Sequence, residues 1–97
     1  MAAAESRLLE LLTEDGQPRV RRAAGRALRQ RRFSEATIVG QRRAYFAESD
    51  PTVRMALLQN LAPLRRDDVR VEELLRQAAG KDASHNVRQA AADLLGR

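Results

Sequence analysis

Read as a string of apolar and polar positions, the chain divides into six segments with helical spacing. Three of them are alike. Residues 17–28 (QPRVRRAAGRAL), 50–61 (DPTVRMALLQNL) and 84–95 (SHNVRQAAADLL) each carry a stripe at offsets 0, +3, +4, +7 and +8 from a valine. On an α-helix these offsets share one face. The stripes are Val20, Ala23, Ala24, Ala27 and Leu28; Val53, Ala56, Leu57, Asn60 and Leu61; and Val87, Ala90, Ala91, Leu94 and Leu95. Asn60 interrupts the second stripe and, once buried, requires a hydrogen-bond partner.

Each of these B helices follows an A segment. Residues 6–15 carry Leu8, Leu9, Leu11 and Leu12. Residues 34–49 open on Ser34 as a cap, with Phe33 and Ile38 spaced as a hydrophobic staple. Residues 67–80 open on Asp67 and Asp68, suited to the positive end of a helix, and Gly80 predicts the stop. Pro63 predicts the end of the second B helix.

The likeness among the B segments exceeds shared amphipathicity. The valines lie 33 and 34 residues apart, each is followed by arginine (Arg21, Arg54, Arg88), and each is preceded five residues earlier by an acid (Asp15, Glu48, Asp82). The first helical residue is Pro18, Pro51 or His85, and the cap position holds Gln17, Asp50 or Ser84. Cap, proline and acid recurring together mark an internal repeat, which predicts an all-α chain of three helical hairpins over approximately residues 1–32, 33–64 and 65–97.

The pattern acid-x-x-x-x-Val-Arg-x-Ala-x-x-x-x-Leu behind a leucine-rich helix resembles the HEAT repeat, especially its short bacterial form. The resemblance runs from about Leu8 to Leu95 and implies an α-α superhelix, or solenoid. The period is shorter than the usual roughly 40–47 residues. The second A segment offers Ile38, Val39, Tyr45 and Phe46 in place of paired leucines. Ankyrin and tetratricopeptide repeats share the period, but no Thr-Pro-Leu-His stretch and no tryptophan is present. The resemblance further implies that Arg21, Arg54 and Arg88 meet the turn acids Asp15, Glu48 and Asp82, or the cap Asp50, within or between repeats. These six ladder residues are assigned to stability. It also implies that the outward face of the B helices lines a concave surface.

That face carries the informative charge. Residues 16–34 hold seven arginines and no acid, and residues 1–48 have ten basic and six acidic residues against eight and seven in 49–97. Arg22, Arg26 and Arg29 sit at offsets +2, +6 and +9; the corresponding +2 and +6 residues are Met55 and Gln59, then Gln89 and Asp93. The surface is therefore expected to run from strongly basic to neutral or slightly acidic. Arg22, Arg26, Arg29, Arg32, Met55 and Gln59 form the expected contact surface, and an acidic protein segment is the expected partner. Binding of nucleic acid through its phosphates is second, because the three aromatics Phe33, Tyr45 and Phe46 read as core and leave no stacking platform.

The rest of the composition narrows the classes. Net charge is +5, and of eighteen basic residues only Lys81 is lysine, a bias that a GC-rich genome produces as readily as selection for bidentate contacts. There is no cysteine, hence neither disulfide nor thiolate metal site. No basic leader or long apolar run occurs, which makes a soluble cytoplasmic protein the expectation. Ser6, Ser34, Ser49 and Ser84 lie at helix starts or turns, and Glu72 and Glu73 suit a helix beginning. His85 stands alone at a helix N-terminus, a structural position more than a metal or base position. DNA glycosylases built from HEAT-like repeats are longer and have aromatic clefts. The expectation is a non-enzymatic adaptor with no cofactor and no metal. The last helix stays apolar over much of its surface. It either folds wholly inward, or associates end to end with a partner or second copy, or belongs to a longer array.

Overall fold

The computed structural model describes residues 2–29 and 34–97. Its elements are α1 (Ala2–Glu14), α2 (Pro18–Arg29), α3 (Glu35–Ala47), α4 (Pro51–Leu61), a 3-10 turn (Ala62–Leu64), α5 (Val69–Lys81) and α6 (His85–Leu95). No strand occurs among the described residues. The chain is all-α.

Local chemistry sets the helix starts. The Ser34 hydroxyl accepts the Thr37 N–H, Asp50 accepts from Thr52 and Val53, Asp68 from Arg70, and Ser84 from Val87. Each satisfies donors that the first turn leaves open. α1 begins well before residue 6, because the alanines ahead of it are strong helix formers. α5 does not stop at Gly80. It continues to Lys81, and the Asp82 N–H closes the last turn on the Ala78 carbonyl at 3.2 Å. Gly80 keeps negative φ, so the left-handed cap that its position suggested is not used. Phe33, the expected staple partner of Ile38, lies outside the described residues, as do Arg31 and Arg32.

Consecutive helices pack in pairs, α1 on α2, α3 on α4, α5 on α6; α2, α4 and α6 lie side by side, and α1 packs on α3. The resulting body measures 34 × 29 × 17 Å, its thin dimension being what two helix layers at a spacing of about 8–10 Å occupy. Leucines and valines from both layers fill the space between: Leu12, Leu28, Leu57, Leu61, Leu75 and Val87 are fully buried.

The B-helix stripes are not buried alike. Ala23 and Ala27 of α2 are exposed, whereas Ala56 and Ala90 are half-buried and Asn60 is buried. Offsets +3 and +7 face the preceding B helix, and α2 has none before it in the row. The opposite side behaves in reverse. At offset +5, Gly25 and Leu58 are buried while Ala92 is exposed. Asn60 finds its partners across the first of these seams: its Nδ2 donates to the Gly25 carbonyl at 2.7 Å and to Gln41 Oε1 at 2.9 Å.

Candidate functional site

Two constellations emerge from this packing. The first is a ladder of turn contacts. In each hairpin the turn acid folds its carboxylate over the N–H two residues on: Asp15 to Gln17, Glu48 to Asp50 and Asp82 to Ser84, all at 2.9 Å. The arginine six residues later reaches back with Nη1 to the acid's own carbonyl, Arg21 to Asp15 at 2.9 Å, Arg54 to Glu48 at 3.1 Å and Arg88 to Asp82 at 2.7 Å. The carboxylate contacts cross to the next hairpin. Arg21 grips Glu48 through Nε and Nη2 at 2.7 and 2.8 Å, and Arg54 grips Asp82 through the same atoms at 3.0 and 2.9 Å. Such two-point contacts are the strong form of the arginine–carboxylate pair. Arg88 and Asp15, at the two ends, belong to no ion pair among the described residues.

The inner pairs are largely withdrawn from water, with side-chain exposures of 13% and 3% for Arg21–Glu48 and 12% and 3% for Arg54–Asp82. Burial pushes both carboxyls up, but their guanidinium partners and backbone N–H donors hold them below their ordinary values. Asp82 also accepts the buried Tyr45 hydroxyl at 2.5 Å; burial first, and then this bond, push the phenol well above its usual value. Tyr45 therefore joins the ladder. In sequence it read only as an aromatic core residue.

The second constellation lies on the exposed side of the B helices. A cavity of about 280 Å³ is lined by Arg22, Arg26, Arg29, Met55, Gln59 and their neighbours. A second, of about 590 Å³, shares Arg29 and Gln59 and continues past Pro63 and Leu94 to Arg65, Arg66, Asp93 and Arg97. Five of the six expected contact residues thus line one cavity, and the sixth, Arg32, lies outside the described residues. Arg22, Arg26 and Arg29 form no ion pair among the described residues.

The expected decline in charge along this face is overturned. Arg65, Arg66 and Arg97 line the larger cavity together with the one acid Asp93, so the far end is basic too. Offsets within the B helices missed this. Arg65 and Arg66 come from the connection after the 3-10 turn, and the Arg65 Nε–H is anchored on the Leu94 carbonyl at 3.0 Å, across the groove.

Other candidates fall elsewhere. Phe46 is 48% exposed on α3, with the Arg42 guanidinium 5.4 Å from its ring centre, so it is not core. Arg70 clamps α5 to α3 by a two-point contact with Glu35. Glu5 of α1 accepts the Ser34 and Thr37 hydroxyls at the start of α3. His85 is exposed. Among the described residues no cluster of three potential metal ligands comes together, and no helix is long and apolar enough to cross a membrane.

Comparison with known proteins adds no relative: no family model, no curated protein and no solved structure matches the chain.

Proposed function

We propose that the chain is a short α-α superhelix of three HEAT-like hairpins acting as a non-enzymatic adaptor that seats an acidic protein segment along its B-helix groove. The observation that carries this reading is the pair of neighbouring cavities that share Arg29 and Gln59, lined by Arg22, Arg26, Arg29, Arg65, Arg66 and Arg97 against the single acid Asp93. Pro63, Leu94, Met55 and the methylenes of the arginines add apolar surface between those charges. A groove that is both basic and partly apolar suits a segment alternating carboxylates with apolar side chains. The repeat reading is supported by the arginine–acid contacts recurring atom for atom across two seams.

A labelled glutamate- and leucine-containing peptide and a labelled random duplex, each titrated with the chain at low and moderate salt, test the proposal. The peptide is expected to bind and the R22E/R26E variant to lose it. Tight duplex binding with a steep salt dependence and no peptide binding would transfer the groove to phosphate recognition. No duplex binding at low salt would exclude that reading.

A further inference from the structure

We propose that this chain associates head to tail with a second copy of itself, Arg88 of one molecule taking the Asp15 carboxylate of the next. The inference rests on the seams, not on the groove. Within the molecule each seam is made by the same atoms: Nη1 of the arginine is held by its own turn carbonyl, while Nε and Nη2 take both oxygens of the following turn's acid. Arg88 already has the first half of that arrangement, its Nη1 fixed on the Asp82 carbonyl at 2.7 Å. Its Nε and Nη2 meet no carboxylate among the described residues. At the other end, Asp15 has the receiving half. Its Oδ1 holds the Gln17 N–H at 2.9 Å, as Glu48 and Asp82 hold theirs, and no arginine among the described residues forms an ion pair with it.

The helix faces beside these two half-sites match in the same register. On α6 the side that faces the next hairpin in the inner seams is open: Ala92 is exposed where Gly25 and Leu58 are buried, and Leu95 is half-buried where Leu28 and Leu61 are buried. On α2 the side that faces the previous hairpin is open at Ala23 and Ala27. Small side chains on both faces, Ala92 on α6 and Ala23 and Ala27 on α2, leave room for the backbones to approach. Opposite charges, each pre-set by the contacts used inside the molecule, then fix the register. The contact is heterologous, leaving one free Arg88 end and one free Asp15 end, so assembly continues past two copies.

Sedimentation across a concentration series reads this directly. The wild-type weight-average mass is expected to rise from 10.9 kDa at high dilution to beyond two copies. R88D and D15R are each expected to stay at the monomer mass, since each meets its own kind with like charges. Mixed in equal amounts they regain wild-type growth. A92R, which alters no ion-pairing group, places a bulky charge on the docking face and is expected to block growth with an unchanged helical signal. A wild type that stays monomeric throughout, association unaffected by R88D and A92R, or a mixture of R88D and D15R that stays monomeric would each overturn the proposal.

Discussion

Arg54 and Arg88 occupy the same place in the repeat, and comparing their removal isolates what a completed seam contributes. In the wild type Arg54 makes two contacts to Asp82 and one each to the Glu48 and Ser49 carbonyls, whereas Arg88 makes one, to the Asp82 carbonyl. Arg54→Ala leaves Asp82, whose side chain is 3% exposed in the wild type, with only Tyr45 and the Ser84 N–H to hold its charge. Removing one member of a buried pair costs about 3–5 kcal/mol; the lower end applies because Arg54 sits at the edge of solvent and Asp82 keeps two donors. For a domain of this size about 3 kcal/mol corresponds to a fall in Tm of roughly 12–24 °C. Arg88→Ala removes a single bond to a carbonyl, about 1 kcal/mol or a few degrees. Thermal melts followed by far-UV circular dichroism, at dilution low enough to keep both proteins monomeric, give the comparison. A D82N/R54A cycle measures the coupling itself. Equal losses for R54A and R88A would refute the idea that the inter-hairpin carboxylate, and not the recurring arginine as such, carries the stability.

The acid limb of stability should report the same pairs. Glu48 and Asp82 have folded pKa values held below their ordinary 4.5 and 3.8, so their contribution is complete above that range and is lost as pH falls through the folded values; E48Q and D82N melts should lose this acid sensitivity. Asn60→Ala leaves the buried Gln41 amide oxygen without its donor and removes a second, inter-helix bond from the Gly25 carbonyl, a cost of about 1–3 kcal/mol by chemical denaturation; a neutral result would mean that seam is wet. A methyl group at Gly25 meets only the Leu12 side chain, at 3.9 Å, and at Gly80 nothing within 4 Å, so G25A and G80A should each stabilise by about 0.5–1 kcal/mol, and a loss would contradict the helical assignment there.

How much of this could be read beforehand differs by element. The helices were legible because Asp50, Asp68, Ser34 and Ser84 are caps by residue type and the stripes repeat with helical period. Burial at Ala23 and Ala27 was not, because it depends on whether another B helix packs beside α2 on that side, and periodicity describes a face without saying what covers it. The same blindness hid Tyr45, whose hydroxyl bonds an acid 37 residues away, and Arg70, whose two-point contact with Glu35 spans 35. The groove was half legible. Arg22, Arg26 and Arg29 follow from the helical wheel of α2, whereas Arg65 and Arg66 reach the groove through a connection outside the repeat register. Gly80 misled because composition alone cannot tell a helical glycine from a capping one. Its backbone stays helical, and the Asp82 N–H two residues later closes the turn.

The central claim is that the recurring residues hold the hairpins together, while the arginines that do not recur bind the partner. Affinity capture from the native cell, with wild type and R22E/R26E compared by quantitative mass spectrometry and melted from the same preparations, tests it most directly. The account predicts an acidic protein retained by wild type and lost from the variant, with stability changed by no more than about 0.5 kcal/mol, since these are surface positions. Equal capture of the same proteins by both, or a variant that loses its partner only by unfolding, would contradict it.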